Sequence, residues 1–253
     1  MRHFVFSLVI SICGTSAAFS DEIVLGADPW CPYNCDPGSD RPGYMVEIAR
    51  EALEPYGHTV RYVTVSWARG LKQAEVGELN GVIGAIPEEA PSFVFGPPIG
   101  TYEDIVVFRR GEARDISEPA SFEGLRVGAI NGYEYFGPVN DYIEANRNDR
   151  SLIQYASGNN ALATNLRKLV AGRLDVVAEV RAVLDYNVVQ LGLSDAIEIV
   201  GTAASDDVFI AFSPALESSQ TYARQLSEGV ARLKENGRYD EIFRRYGLNP
   251  AST

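Results

Sequence analysis

The sequence predicts an α/β protein of two lobes joined by two antiparallel crossover strands. Two apolar, β-prone runs that each end in a turn signal, Asp104–Gly111 and Asp207–Pro214, indicate those strands. The stretch of about a hundred residues between them contains its own strands and helices, so it can form a lobe by itself. The alternative is one continuous α/β domain in which both runs are ordinary strands. Two lobes imply a cleft between them, and ligand pockets favour such interfaces.

The crossover strands divide the chain into three parts. Residues 1–20 are expected to form a signal peptide, residues 21–108 and 212–253 lobe one, and residues 109–211 lobe two with the hinge strands. In both lobes strands alternate with helices, which is the pattern of a parallel sheet with helices on its faces. Ligands bind beyond the carboxyl ends of the strands in such sheets, so the loops after the strands are the candidate site.

Lobe one begins with strands and helices that are separated by clear turn signals. A loop rich in Pro, Asp and Gly, Trp30–Gly43, follows the first strand, and Gly77 marks the end of the second helix. The predicted strands are Ile23–Ala27, Val60–Val65 and Gly81–Ile86, and the predicted helices are Tyr44–Tyr56 and Trp67–Val76.

Lobe two repeats this alternation, and an amphipathic helical tail follows the return crossover. The tail is expected to pack on lobe one. The predicted strands are Leu125–Ile130, Leu174–Glu179 and an edge strand, Ile197–Gly201. The predicted helices are one that begins near Gly137 or Pro138, then Asn159–Ala171, Val183–Val189, Ser218–Lys234 and Tyr239–Tyr246.

The composition is that of a globular protein. The chain has 253 residues, of which 46% are hydrophobic, 10% aromatic and 22% charged, and this length suffices for two small lobes. Its formal net charge of −12 argues against nucleic acid or an anionic membrane as a partner. We expect a monomer without a cofactor or a bound metal.

The N-terminus has the pattern of a secretory signal peptide. A short polar start precedes the apolar run Phe4–Cys13, and small residues after it place the cleavage site near residue 18 or 20. The run is too short to span a bilayer, which takes about 20 residues. Cys13 raises a lipoprotein alternative, but Ile12 stands where such proteins carry a small residue. Export to the periplasm is therefore expected.

Removal of this leader would leave two cysteines, Cys31 and Cys35. In an exported chain such a pair predicts a disulfide, which would stabilise the fold by about 2 kcal/mol and fix the loop carrying Trp30 and Tyr33. A metal site is the alternative, but only His58 is available to assist. A redox motif would have one residue fewer between the cysteines.

Four segments together resemble a known family. They are Gly43–Ala49 (GYMVEIA), Phe95–Ile99 (FGPPI), Gly172–Val177 (GRLDVV) and Leu233–Gly247 (LKENGRYDEIFRRYG). In this order and spacing they resemble the bacterial extracellular solute-binding proteins of family three, the amino-acid-binding type with the two-lobed periplasmic binding fold (type II). The resemblance implies ligand capture by hinge closure and delivery to an ABC transporter permease.

The departures from the family pattern concern its amino-acid carboxylate clamp. Glu89 stands nearest to the place of the usual arginine, and Gly132–Glu134 replaces the usual Gly-Thr helix start. Glu179 lies one residue before the family's ammonium-binding aspartate. The chain thus offers acidic and aromatic groups where a carboxylate would bind, which favours an amine-bearing solute. Arg69 could instead bind an anionic group of the ligand, so a zwitterion is the alternative ligand.

Eight side chains are the candidate ligand contacts. Arg69 has a local carboxylate as its alternative partner, and Glu179 has an ion pair with Arg181 as its alternative role. The expected aromatic walls are Trp30, Tyr33, Tyr133 and Tyr135, the expected acidic groups are Glu89, Glu134 and Glu179, and the expected cation is Arg69.

Two other functions stay open beside transport of a small polar metabolite. Cyclohexadienyl dehydratases resemble these binding proteins, and Glu179 or Glu134 would be the poised acid of such an enzyme. A ligand-sensing partner of a membrane receptor is the other alternative. No Ser-His-Asp set is found, so a binding protein without enzymatic activity is the expectation.

Overall fold

The computed structural model describes residues 20–248, in which strands and helices alternate. The strands are β1 (Glu22–Ala27), β2 (Thr59–Thr64), β3 (Gly81–Ala85), β4 (Val94–Arg109), β5 (Val127–Ile130), β6 (Ile153–Ala156), β7 (Val176–Val180) and β8 (Ile197–Phe212). The α-helices are α1 (Tyr44–Leu53), α2 (Trp67–Glu75), α3 (Gly137–Asn146), α4 (Ala161–Val170), α5 (Arg181–Leu191), α6 (Ser219–Glu235) and α7 (Arg238–Arg245).

Two long antiparallel strands, β4 and β8, run through both halves of the molecule. The hydrogen-bonded order of the sheet is β2-β1-β3-β8-β4-β7-β5-β6. β3 pairs with the end of β8 near Phe212, whereas β7 pairs with the far end of β4, residues Asp104–Phe108. The halves therefore attach to opposite ends of one strand pair, which is the predicted two-lobed α/β architecture. Hydrogen bonding is continuous through β4 and β8, so the sheet is not split into two.

The remaining strand pairs are parallel. β1 pairs with β2 and β3, and β5 pairs with β6 and β7. Parallel strands are connected by helices that cover the sheet faces, so such strands are buried along their whole length. β5 shows this, because all four of its residues, Val127–Ile130, are buried. The loops after β1, β3, β5 and β7 meet between the halves.

The C-terminal helices return to the first half, as predicted for the tail. α6 packs on α1, where Gly229 lies so close that a Cβ on it would fall 2.4 Å from the Ala52 carbonyl oxygen. α7 is held by ion pairs to α1, from Arg238 to Glu51 at 2.8 Å and from Arg245 to Glu47 at 2.6 Å. Helix packing and local charge pairs thus close the first half around its own sheet.

The crossover strands are longer than predicted. β4 begins at Val94, ten residues before the expected start, and contains Pro97 and Pro98. Proline is tolerated there because this end of β4 is an edge that pairs only with β8, and the pairing shifts register around Pro98. β8 joins the predicted edge strand and the predicted return crossover into one element, across a run of small and polar residues that resembled a loop.

One strand of the second half, β6 (Ile153–Ala156), was not predicted. Its sequence IQYA has only two apolar positions at its ends and a polar residue inside, so its signal is weak, and it acquires strand structure by parallel pairing with β5. The other predicted strands and helices are present within a few residues of their expected ends.

The predicted signal peptide falls almost wholly on residues 1–19, which lie outside the described residues. Among the helices of residues 20–248, none combines the length and apolar character needed to cross a membrane.

Candidate functional site

A cleft between the two halves collects the loops that follow the parallel strands. Asp28 and Trp30 follow β1, Glu89 follows β3, Tyr133 follows β5 and Glu179 lies at the end of β7. All five side chains line cavities at this place. The cavities thus lie beyond the carboxyl ends of the strands, which is where the sequence predicts the candidate site.

Two adjoining cavities make up the enclosed part of the cleft. The smaller one measures about 40 Å³ and the larger one about 190 Å³. They share Asp28, Trp30 and Tyr133. The larger cavity also contains the start of α4 and part of α5, so it belongs to both halves. A third and more open space of about 530 Å³ lies outside Tyr133 and Glu134.

Aromatic rings form much of the wall. Trp30 stacks on Tyr33 with ring centroids 4.0 Å apart, and Trp67 meets the edge of Tyr133 at 6.5 Å. The second contact joins α2 of the first half to the β5 loop of the second. Tyr102, on crossover strand β4, also lines the smaller cavity. Ring faces of this kind attract cations by about 0.5–2 kcal/mol, more as water is excluded.

Carboxyl groups are the dominant polar side chains of the site. Asp28, Asp104 and Glu179 are only 7%, 2% and 1% exposed. Burial, which disfavours the charged form, raises the pKa of Asp28 to about 6 and of Asp104 to about 7. Burial likewise raises the pKa of Glu89 and of Glu179 to about 8. Part of this acidic cluster is therefore protonated at neutral pH.

No lysine or arginine is found among the described residues that line the two enclosed cavities. Arg147 lines only the outer space, where it pairs with Glu144 at 3.2 Å. Burial of several carboxyl groups without a cationic side chain in the same cavity is costly, and a ligand cation would offset that cost.

Hydrogen bonds to these carboxyl groups connect the two halves. The Tyr133 hydroxyl donates to Asp28 Oδ2 at 2.9 Å, and the Glu134 N–H donates to Glu89 Oε1 at 2.8 Å. In both bonds the donor follows β5 and the acceptor belongs to the first half. The acidic cluster thus also holds the halves together.

Several polar atoms of the cleft are buried without a hydrogen-bond partner. They are Nε1 of Trp30, Nε1 of Trp67, the Tyr102 hydroxyl and Glu179 Oε2. Glu179 accepts one bond, from the Val180 N–H to its Oε1 at 2.8 Å. Buried polar groups are normally paired, so these atoms are an unusual feature of the cleft wall.

The loop carrying Trp30 is fixed from two sides. The predicted disulfide between Cys31 and Cys35 is present, with a Cα–Cα separation of 4.5 Å. The fully buried Asn34 side chain donates to the Asp28 carbonyl oxygen and to the Tyr62 hydroxyl. The described residues contain no group of three or more His, Cys, Asp and Glu side chains placed to hold a metal ion.

Most of the eight predicted contacts are brought together, with two differences. Tyr33 lies beneath Trp30 in the core, where its hydroxyl donates to the Thr101 carbonyl oxygen at 2.8 Å. Arg69 is exposed and lines none of the three cavities, because α2 buries the face with Trp67 and Gly70 and leaves Arg69 outside. The cleft lining contains the other six: Trp30, Glu89, Tyr133, Glu134, Tyr135 and Glu179.

The sequence-based prediction missed four residues of the site, Asp28, Trp67, Tyr102 and Asp104. Asp28 directly follows β1 and Trp67 begins α2 after β2, so both lie where the strand-end rule points, although neither was named as a contact. Tyr102 and Asp104 lie inside β4, and no local signal distinguishes them from other strand residues. The alternative partner for Glu179 was also wrong, since Arg181 pairs with Glu103 at 3.6 Å.

Solved structures with this fold include binding proteins and a sensor domain. A histidine kinase sensor domain with similarity to periplasmic binding proteins is 22% identical, with a TM-score of 0.73 and coverage of 90% of this chain and 97% of that one. An ABC uptake transporter substrate-binding protein from Streptococcus pneumoniae with bound histidine is 18% identical, with a TM-score of 0.72 and coverage of 89% and 92%.

A third structure is the arginine-, lysine-, histidine-binding protein ArtJ from the thermophile Geobacillus stearothermophilus. It is 15% identical, with a TM-score of 0.72, and the match covers 90% of this chain and 96% of that one. At such identities the likeness shows the fold alone. The fold class is therefore that of the two-lobed periplasmic binding proteins of type II.

The sequence identifies the family within this class. The profile of the bacterial extracellular solute-binding proteins, family 3, matches residues 23–249, and the chain belongs to that family. The resemblance carried by the four sequence segments is thereby confirmed. A search of curated protein sequences found no match.

Proposed function

We propose that this protein is a periplasmic, monomeric solute-binding protein that captures a small amine-bearing metabolite in its inter-lobe cleft. The proposed lobes are residues 21–108 with 212–253, and residues 109–211 with the hinge strands. Closure around the bound solute would present it to an ABC transporter permease. The observation that carries the proposal is the buried acidic cluster, which aromatic rings enclose and to which the described part of the chain brings no lysine or arginine in the same cavities.

The charge balance supports an amine over a carboxylate. A carboxylate would enter among Asp28, Asp104 and Glu179, where residues 20–248 place no cationic side chain in the cavity lining, and like charges in a buried site repel strongly. An ammonium would stabilise the ionised carboxyl groups and would lie against aromatic faces. Two similar structures, one with bound histidine and one of an arginine-, lysine-, histidine-binding protein, have amino acids as ligands, which carry an ammonium together with a carboxylate.

Calorimetry with a ligand panel tests the proposal. We expect simple amines to bind and dicarboxylates to fail, and we expect Glu179→Gln to weaken amine binding by about tenfold or more. Arg69→Ala is the matched control, which removes a cationic side chain instead of an acidic one. It should leave the affinity for amines unchanged, because Arg69 lies outside the cavities. If a dicarboxylate binds tightly and Arg69→Ala abolishes that binding, the ligand is an anion and the proposal of an amine ligand is wrong.

The enzyme alternative has one supporting observation, the state of Glu179. A carboxyl group with a pKa of about 8 inside a cleft is protonated at neutral pH and suits a general acid. The anionic substrates of a cyclohexadienyl dehydratase would however meet an acidic cavity without a cationic partner. An assay of aromatic product formation from prephenate and from arogenate tests this alternative. Turnover by the wild type that Glu179→Gln abolishes would establish that the protein is an enzyme.

The structural similarity to a histidine kinase sensor domain supports the alternative that the protein is a ligand sensor. Ligand binding alone does not separate a sensor from a transport protein, since both close around a solute. The loaded protein should stimulate ATP hydrolysis by its permease in reconstituted vesicles if transport is its function. Stimulation of a receptor kinase instead would favour sensing.

A further inference from the structure

Each of the two enclosed cavities has carboxyl groups of its own. Of these two cavities, only the smaller one is lined by Glu89, Asp104 and Glu134, and only the larger one is lined by Asp36 and Glu179. The five side chains come from five different loops or strands, so separate parts of the fold bring carboxyl groups to each cavity. One ammonium occupies one cavity only, and it leaves the carboxyl groups of the other cavity without a cation.

Two aromatic rings lie at the boundary between the cavities. Asp28, Trp30 and Tyr133 line both cavities. Neighbouring rings fix the two aromatic side chains, because Trp30 stacks on Tyr33 at 4.0 Å and Tyr133 meets the edge of Trp67 at 6.5 Å. The Tyr133 hydroxyl donates to Asp28, so its ring is the part that remains for a ligand. Such ring surfaces suit methylene groups, since burial of apolar surface is favourable.

The sizes of the two cavities fit a chain that has a small polar group at its end. The smaller space of about 40 Å³ is close to the share of one water molecule in liquid water, about 30 Å³. It accommodates one ammonium, which is similar in size to a water molecule, beside Glu89 and Asp104. The larger space of about 190 Å³ accommodates a second ammonium near Asp36 and Glu179 together with most of the chain.

We infer that the solute is a linear diamine, with one ammonium in each enclosed cavity and a methylene chain that passes between Trp30 and Tyr133. This inference rests on the proposed function, because it specifies the class of amine. The charges support it, since within residues 20–248 the lining of both cavities contains no lysine or arginine. Burial raises the pKa of Asp28 to about 6 and of Asp104 to about 7, and a nearby ammonium would stabilise the ionised form of each.

A matched series of four-carbon compounds tests the inference by calorimetry on the intact protein at physiological ionic strength. The probes are butylamine, putrescine and gamma-aminobutyrate. All three carry an ammonium at one end, and the other end carries respectively no charge, a second ammonium and a carboxylate. We expect putrescine to bind about tenfold tighter than butylamine, as one added hydrogen-bonded ammonium implies. Gamma-aminobutyrate should bind more weakly than either, because its carboxylate would meet carboxyl groups in the second cavity.

Two amide variants assign the ammonium groups to their cavities. Glu134→Gln removes an exposed carboxylate of the smaller cavity, and the bond to Glu89 is kept because the Glu134 N–H donates it. Asp36→Asn does the same in the larger cavity, and its amide oxygen can still accept from the Gly38 N–H. In each variant the advantage of putrescine over butylamine should fall towards one.

Glu75→Gln is the matched control for these variants. It removes the same charge from the protein, but Glu75 is exposed on α2 and lines none of the three cavities. The advantage of putrescine should therefore stay about tenfold in this variant. Thermal melting of each variant verifies that it is folded.

The outcomes separate this inference from the proposed function. If butylamine binds and putrescine has no advantage, the diamine is overturned and the proposal of an amine-binding protein stands. If the advantage of putrescine survives in both Glu134→Gln and Asp36→Asn, it reflects general attraction to a protein of net charge −12, and the assignment of one ammonium to each cavity is overturned. If none of the three compounds binds, both proposals fail.

Discussion

At the scale of single residues, burial sets the pKa values of the acidic side chains in the cleft. Asp28, Glu89 and Glu179 have raised pKa values because the protein removes water from them, and their hydrogen bonds from Tyr133, Glu134 and Val180 offset only part of this. The half-buried carboxyl group of Asp175 shows the contrast. Its hydrogen bonds and ion pair with Arg126 hold its pKa well below the usual range, which is a structural role.

The first prediction concerns pH and the ligand-free protein. The folded chain binds more protons than the unfolded chain between the ordinary carboxyl pKa near 4 and the raised values of about 6 to 8. The free energy of unfolding should therefore fall as pH rises through this window. Thermal denaturation at a series of pH values measures it, and Asp28→Asn should flatten the dependence whereas the exposed Glu75→Gln should not.

Amine binding should have the opposite pH dependence. An ammonium favours the ionised carboxyl groups, so binding displaces protons and the affinity should rise with pH over the same window. Calorimetry in buffers of different ionisation enthalpy measures the released protons. An affinity that falls between about pH 5 and pH 8 would contradict the amine assignment.

The second prediction is that Tyr133→Phe weakens ligand binding by about tenfold. The variant keeps the ring but removes the hydroxyl that donates to Asp28 across the cleft at 2.9 Å. A hydrogen bond to a charged group contributes about 1.5–3 kcal/mol. Tyr56→Phe is the matched control, because it also removes a tyrosine–carboxylate bond, at 2.6 Å to Glu228. Equal affinities of the two variants would show that the Tyr133 bond does not contribute to closure.

At the scale of elements, the site depends on where the strands end and on what fixes the following loops. β1 delivers Asp28 and Trp30 to the cleft, and the Cys31–Cys35 disulfide with the Asn34 side chain keeps their loop in place. Without these two constraints the Trp30 ring would be more mobile, and a ligand would lose affinity because binding would have to order the ring. The loop is therefore part of the site, and both of its cysteines line the larger cavity.

The third prediction follows from that loop. Replacement of Cys31 and Cys35 by alanine should lower the free energy of unfolding by about 2 kcal/mol, the value for so short a loop. Ligand affinity should fall as well, because Trp30 loses its fixed position. Denaturant titration and calorimetry measure the two effects. Thiol titration of the denatured, unreduced protein after removal of its leader, which contains Cys13, should detect no free thiol, and two reactive thiols would refute the disulfide.

At the scale of the whole molecule, two strands carry the connection between the halves. β4 and β8 pass from one half to the other, and their pairing shifts register between Glu103 and Ile105. A bend of the two strands would separate the cleft walls. Hinge closure around a ligand is the motion that such an arrangement permits.

The fourth prediction tests closure directly. Ala68 on α2 faces Gly132 of the second half, where a Cβ added to Gly132 would lie 3.1 Å from the Ala68 Cβ. Ala68→Leu should hold the halves apart and lower ligand affinity by tenfold or more, since each mismatch of close-packed surfaces costs about 1–3 kcal/mol. Lys72→Leu, at an exposed position of the same helix, is the control.

Small-angle X-ray scattering provides the structural readout of that prediction. The radius of gyration of the wild type should decrease when the amine is added. Ala68→Leu should keep the larger value, while Lys72→Leu should behave like the wild type. A radius that is the same for all three proteins, with and without the ligand, would reject closure as the mode of capture.

The sequence by itself determined the alternation of strands and helices, the tail that packs on the first half, and the family. These features depend on periodicity and on local turn signals, which each segment carries alone. It also indicated the acidic and aromatic character of the site, because residues such as Trp30, Tyr133 and Glu179 follow or end strands. Only the tertiary structure decided which of these side chains meet.

The tertiary structure also decided what had no local signal. Tyr102 and Asp104 enter the cleft because β4 crosses between the halves, and the continuity of β8 depends on pairing with β4. Arg69 stays outside because the packing of α2 selects the face with Trp67. The raised pKa values depend on burial by distant segments. Long-range packing, which no short stretch of sequence encodes, therefore set the chemistry of the site.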